Sequence, residues 1–166
     1  MIYFLVGFMG AGKTKVGQSL SKTLNLKFID LDKTIEKGEN RSINNIFSTD
    51  GELYFRELEE KYLSEIIIED NILVSTGGGT ATYHNLMEEM NEAGTTIYLK
   101  CCTETLYNRL LVNKKKRPLI NKLSSKNLRS YIENKISERS FYYKKAHHTI
   151  DNDNELCIDK IIKILG

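Results

Sequence analysis

Residues Gly7-Phe8-Met9-Gly10-Ala11-Gly12-Lys13-Thr14 follow the spacing G-x-x-x-x-G-K-[ST], the P-loop pattern. Glycines lack a Cβ, so backbone N–H groups can close on a polyphosphate, and a helix that follows at once aims its positive dipole end at the same charge. In this pattern Lys13 reaches the β- and γ-phosphates and the Thr14 hydroxyl reaches a Mg²⁺. The flanks agree with that requirement. Ile2-Tyr3-Phe4-Leu5-Val6 is a short apolar run suited to a buried strand, and Val16, Leu20 and Leu24 give the stretch from Lys13 to Leu24 a helical apolar face. An ordinary glycine-rich strand-to-helix turn is the competing reading.

Length and charge narrow the class. A chain of 166 residues suits one domain, spanning 1–166, with a core large enough to fold without disulfides or metal staples. A net charge of +2, from 24 basic and 22 acidic residues, supplies no basic stripe for nucleic acid. Cys101, Cys102 and Cys157 match no zinc or redox spacing, so reduced, structural thiols in a cytoplasmic protein are expected. The apolar start lacks a basic leader and runs straight into the glycine loop, which makes it a strand rather than a signal peptide, and no later stretch is long enough to span a membrane. His147 and His148 have no metal-ligand spacing with other His or Cys residues and are read as structural. No internal repeat or low-complexity linker divides the chain.

Further along, Leu26 to Asp30 reads as a second strand, with Asp30 and Asp32 at its C-terminal end. Carboxylates two apart in an extended segment project to the same side, at the sheet end where ligands sit in open α/β folds. One of them then organises Mg²⁺ while the other meets a substrate hydroxyl; the alternative is that Asp32 merely caps a helix starting near Lys33. Ser42 to Phe47 is a short amphipathic piece, and Leu53, Tyr54, Leu58, Tyr62, Leu63, Ile66 and Ile67 predict a long helix from about Glu52 to Glu69. Arg56 and Glu59 lie one turn apart on it. They pair with each other, or Arg56 presents its planar fork to a ligand carboxylate.

Ile72 to Ser75 looks like a third strand, and Gly77-Gly78-Gly79 after it is either a plain turn or a place where backbone passes close to a ligand. Thr82 to Met90 reads as helical, Thr95 to Leu99 as a fourth strand and Thr103 to Val112 as another helix. This alternation predicts a parallel α/β sheet with right-handed crossovers. The run Lys114-Lys115-Lys116-Arg117-Pro118 is a solvated loop or a mobile lid whose Arg117 closes over a transferring phosphoryl group. Ser124 or Ser125 opens a helix reaching about Tyr143 and carrying Arg139, which by itself has no assigned role. His147 to Ile150 resembles a last strand and Leu156 to Leu165 a closing helix.

Taken together and in order, the P-loop, Phe28-Ile29-Asp30-Leu31-Asp32, Phe55-Arg56-Glu57-Leu58-Glu59, Ser75-Thr76-Gly77-Gly78-Gly79, Arg117-Pro118-Leu119 and Glu138-Arg139 resemble shikimate kinase over nearly the whole chain. The resemblance implies a three-layer P-loop sandwich related to the nucleoside monophosphate kinases, with a five-stranded parallel sheet in order 2-3-1-4-5. It implies ATP-dependent phosphorylation of the shikimate 3-hydroxyl, in the pathway to chorismate and the aromatic amino acids. Carried over residue by residue, Gly10, Ala11, Gly12, Lys13, Thr14, Lys15, Arg109 and Arg117 would meet ATP, with Arg109 against adenine. Asp32, Arg56, Gly78 and Arg139 would hold shikimate, the two arginines on its carboxylate and Glu59 steadying Arg56. Thr14 and Asp30 would organise Mg²⁺, Lys13, Asp32 and Arg117 would be catalytic, a substrate segment would run from about 32 to 60 and a lid from about 112 to 124.

Two positions depart from the family pattern. Ala81 stands where a larger aliphatic residue usually follows the glycines, and Lys15 replaces a small hydroxyl residue. The competing functions are a kinase for another small polyol acid such as gluconate, or for a nucleotide, and a module that binds ATP without turning it over. A monomer acting on small molecules, with no nucleic-acid or membrane partner, is expected.

Overall fold

Strands of a parallel sheet are covered by helices on both faces and so carry near-continuous apolar runs. In the computed structural model, which describes residues 1–154 and 157–165, the runs become β1 (Ile2–Val6), β2 (Lys27–Asp30), β3 (Ile72–Ser75), β4 (Thr95–Lys100) and β5 (His148–Asp151). All pair in parallel in the order β2-β3-β1-β4-β5, as expected from the resemblance. At the centre Leu5 lies between Ser75 and Ile97. The helices are α1 (Lys13–Thr23), α2 (Leu31–Glu39), α3 (Ile43–Thr49), α4 (Gly51–Ile66), α5 (Leu86–Ala93), α6 (Thr103–Asn113), α7 (Ser125–Tyr143) and α8 (Cys157–Leu165). Phe4, Leu5, Leu73, Val74 and Leu99 from the sheet and Leu20, Leu63, Leu110 and Ile132 from the helices are fully buried in one continuous core. Among the described residues no helix is long and apolar enough to cross a membrane.

Several boundaries differ from the expected ones for identifiable reasons. Asp30 ends β2 and at once caps α2, its Oδ1 accepting from the Lys33 amide at 3.2 Å. Asp32 therefore stands in the first turn of α2, neither on an extended strand beside Asp30 nor at the cap. The strand geometry expected for the pair is wrong, although both carboxylates still reach the same end of the sheet. The β2 strand starts one residue late because the Leu26 amide turns back to Ser21 O at 2.8 Å. Helix α4 stops at Ile66 rather than Glu69, since the Glu69 amide closes a tighter turn on Ile66 O and Asn71, at φ 55°, swings the chain into β3.

The single helix expected over 82–90 is instead a 3₁₀ turn at Thr80–Thr82 followed by α5 from Leu86. His84, with φ 44°, interrupts the right-handed course. Ser124 caps α7 as expected, accepting from the Asn127 amide at 3.1 Å. The expected start of the last helix, Leu156, lies outside the described residues. His147 bonds Thr96 through its ring and its amide, pinning the approach to β5 against β4.

Candidate active site

The crevice beyond the C-terminal ends of β1, β2 and β3 gathers the chemistry-bearing residues. After β1 the chain turns through Gly10 at φ 82° and Gly12 at φ 91°, conformations that side chains disfavour. Gly12 also precedes α1 without a side-chain cap, which leaves the first amides of that helix for a ligand. Lys13 is buried and folds back over the loop, its Nζ donating to Gly7 O at 2.7 Å and Phe8 O at 3.0 Å. Burial pushes its pKa down to about 8, against the pull of the Asp32 charge. The Thr14 hydroxyl donates to Asp30 Oδ2 at 2.9 Å. These groups line a cavity of about 370 Å³ that also takes in Gly10, Gly12, Lys15 and Arg117. Ala11 offers only its backbone, because its methyl is buried in the core.

A second cavity, of about 350 Å³, lies between α2, α3 and the turn after β3. Arg56 enters it from α4, bound to Glu52 at 2.9 Å and to Glu59. Burial alone would lower the Arg56 pKa, yet Glu59 and Glu52 hold it above the ordinary arginine value. Glu59 is fully buried and also accepts from the Thr80 hydroxyl, so it latches α4 to the turn after β3. That turn must be glycine for steric reasons: a Cβ on Gly77 would run into the Glu59 carboxylate and one on Gly79 into the Arg56 guanidinium. Gly78 O accepts from Arg139 Nη1 at 3.2 Å and from the Tyr143 hydroxyl, whose pKa burial pushes up to about 12. Arg56 and Arg139 thus bring two guanidinium groups to one cavity wall, a pairing suited to a carboxylate. Ala81 is buried behind the turn.

The two cavities meet, and Asp32, Gly78 and Arg117 line both. Burial raises the Asp32 pKa to about 7, helped by the negative charges of Glu59 and Asp30 and opposed by Lys13 and Arg56. Its Oδ1 is buried without a hydrogen-bond partner among the described residues, and so is Arg117 Nε. Burial likewise lowers the Arg117 pKa, with Asp32 opposing. The hydroxyl of Thr14 and the carboxylates of Asp30 and Asp32 are hard oxygen donors at this junction. Among the described residues no group of three or more His, Cys, Asp or Glu could hold a metal unaided. One or two carboxylates completed by phosphate oxygens and water is the arrangement that suits Mg²⁺.

Arg109 of α6 stands at the other side of the phosphate loop, donating to Gly10 O at 3.2 Å and Asn152 O at 2.9 Å. With Gly12, Lys15, Val16, Ser19 and Asn152 it lines a further cavity of about 220 Å³, next to the phosphate site, where a base would follow its phosphates. Thr80, Tyr143 and Asn152 are site residues that sequence reasoning missed. Each acts across elements distant in the chain, and none belongs to a spacing pattern that marks its partner.

A glycine-loop phosphate site that opens onto a second, cation-lined cavity beyond the ends of a parallel sheet defines a P-loop kinase. Residues 9–165 match the family model for shikimate kinase. The chain is 40% identical to a shikimate kinase of Flavobacterium johnsoniae, over 97% of this chain and 95% of the relative. It is 43% identical to one of Parabacteroides distasonis, over 92% and 88%. Among solved structures, the shikimate kinase of Bacteroides thetaiotaomicron superposes with a TM-score of 0.91 at 33% identity, covering 99% of this chain and 96% of that one. The shikimate kinase of Acinetobacter baumannii in complex with shikimate gives 0.90 at 33% identity, covering 99% and 90%. The chain belongs to the shikimate kinase family, phosphotransferases that phosphorylate shikimate.

Proposed function

We propose that the protein transfers the γ-phosphoryl group of ATP to the 3-hydroxyl of shikimate, giving shikimate 3-phosphate and ADP on the route to chorismate and the aromatic amino acids. The observation that carries this reading is the junction: Asp32 and Arg117 line both the phosphate cavity and the acceptor cavity. A hydroxyl held by Asp32 then faces a phosphoryl group held by the loop. The shikimate bound to the Acinetobacter relative supports the choice of acceptor.

Arg56 and Arg139 bind the shikimate carboxylate, and Glu59 keeps the Arg56 fork turned toward it. Gly78 supplies backbone to the floor of the acceptor site. Asp32 orients the attacking hydroxyl first and accepts its proton second, because a loose phosphoryl-transfer transition state needs no strong base. Lys13 swings from its carbonyl partners onto the β- and γ-phosphates, and Arg117 neutralises charge on the group in flight. The loop amides of Gly10 to Lys15 cradle the phosphates while Arg109 lies against adenine. Thr14 and Asp30 would hold Mg²⁺, which would supply positive charge to offset that of the phosphates.

Residues 1–166 work as one catalytic domain, in which about 32–60 forms the substrate segment and about 112–124 a lid. A monomer suffices, since every residue invoked comes from one chain. Cys101, Cys102 and Cys157 are free thiols, which fits a cytoplasmic enzyme. A coupled assay of ADP release tests the reading. Shikimate should stimulate release, while gluconate and nucleoside monophosphates should not; release that shikimate leaves unchanged would overturn it.

A further inference from the structure

Asn152, directly after β5, is buried, and its side chain reaches back across the molecule to the phosphate loop. Its Nδ2 donates to Ala11 O at 2.7 Å, a contact that spans 141 residues of sequence. The residue is itself held on three sides. Its amide donates to Lys100 O at 2.7 Å, extending the β4–β5 ladder. Its carbonyl accepts from Arg109 Nη2 at 2.9 Å and from the Cys101 thiol at 3.3 Å. Arg109 meanwhile fastens the preceding loop carbonyl, Gly10 O, at 3.2 Å.

A trans peptide is planar, with its C=O and N–H on opposite sides. No cis bond occurs among the described residues. Holding Ala11 O against Asn152 therefore turns the Gly12 N–H the other way. Gly12 lines the phosphate cavity. Glycine at φ 91° on the far side of this peptide leaves it sterically free to rotate, so a donor on the carbonyl is what selects one orientation. A rotated peptide would aim a carbonyl oxygen at the phosphates instead of an amide.

We propose that Asn152 is a positioning residue for nucleotide binding, which locks the Ala11–Gly12 peptide with its N–H in the phosphate cradle. The inference rests on the loop being the ATP site. It touches no phosphate itself and acts through the backbone it holds. An amide suits the task because it presents a neutral donor to a buried carbonyl. An aspartate of the same shape would set a carboxylate oxygen against that carbonyl.

Calorimetric titration of ADP into the wild-type protein, Asn152→Ala and Asn152→Asp, with the KM for shikimate measured in parallel, tests this. Removal of the donor should weaken ADP binding about tenfold in Asn152→Ala, the scale of a lost hydrogen bond that leaves the buried Ala11 carbonyl only the weak Cys101 thiol at 3.8 Å. Asn152→Asp should weaken it further, and the KM for shikimate should hold in both. Asn152→Ser serves as a milder substitution that also withdraws the amide, should either variant not fold. Unchanged ADP affinity in the variants would overturn the role, and so would proportionate losses for ADP and shikimate, which mark a structural residue only. A wild-type protein that binds no ADP would instead remove the nucleotide reading of the loop.

Discussion

Asp32 carries its charge where water solvates it poorly, close to two other carboxylates, and its pKa of about 7 measures that conflict. The ordinary aspartate value is 3.8, so between about pH 4 and 7 the folded state binds more protons than the unfolded one. The protonated form stabilises the fold below that window, and the contribution is lost as the pH rises through 7. Asp32→Asn should therefore raise the melting temperature of the free protein at pH 8 and make little difference at pH 4. The same substitution should lower kcat by about 10²–10⁴-fold, the range of a positioned acid–base group. Near-normal turnover would remove Asp32 from the reaction. Lys13 titrates on the other side, near 8. The two groups are close enough to interact, so kcat/KM for the free enzyme should follow a narrow bell with apparent inflections near 7 and 8 that belong to the pair. The kcat profile should be wider on its alkaline side, because bound phosphates stabilise the Lys13 ammonium.

At the scale of elements, the acceptor site depends on how α4 is fastened to the turn after β3. Glu59 is the fastening, accepting from Arg56 on its own helix and from Thr80 beyond β3. Glu59→Ala leaves a buried guanidinium short of one partner and should cost about 3 kcal/mol of stability in urea denaturation. Gly79→Ala tests the geometry more selectively, because its Cβ displaces the Arg56 fork. Overpacking of that size should raise the KM for shikimate roughly tenfold and leave the KM for ATP alone. Much of this architecture is legible in the sequence. Buried parallel strands announce themselves as apolar runs, and Gly7, Gly12, Lys13 and Thr14 have the spacing of the phosphate loop. The Arg56–Glu59 pair follows from helical spacing, but the Thr80 latch does not, since it joins residues of different elements. Capping competition placed α2 wrongly: Asp30 and Asp32 are both plausible caps by residue type, and the tertiary tie of Asp30 to Thr14 fits its role as the one that ends the strand. His84 broke an expected helix through a backbone angle that its side chain does not advertise.

For the whole molecule, two cavities that meet at one junction must keep water from the phosphoryl group, and the proposed lid, about 112–124, is the segment placed to do so. The segment leaves α6 through a 3₁₀ turn at Lys114–Lys116, and Lys114 Nζ donates to Leu123 O, tying the two ends of the excursion together. Within it the Arg117 carbonyl accepts from the Ile120 amide at 3.2 Å and the Asn121 amide at 2.9 Å, so the backbone that carries the arginine is a defined turn rather than a loose tether. An open groove of about 660 Å³ separates Pro118 to Leu123 from Asn44, Phe47 and Ser48 on α3. Closing that groove would bring the substrate segment and the proposed lid together over the acceptor. Arg117 already stands at the junction with a buried Nε that has no hydrogen-bond partner among the described residues. Such a donor gains most when negative charge develops beside it in a site shielded from water. Arg117→Ala should therefore act on the transition state more than on the ground state, lowering kcat by about 10²–10³-fold with a smaller change in either KM. Arg117→Lys should recover only part of the loss, because an ammonium keeps the charge without the planar fork. Steady-state kinetics with both substrates varied decides the matter: a loss expressed wholly in the KM for shikimate would make Arg117 a substrate-binding group and leave the phosphoryl charge to Lys13 and Mg²⁺.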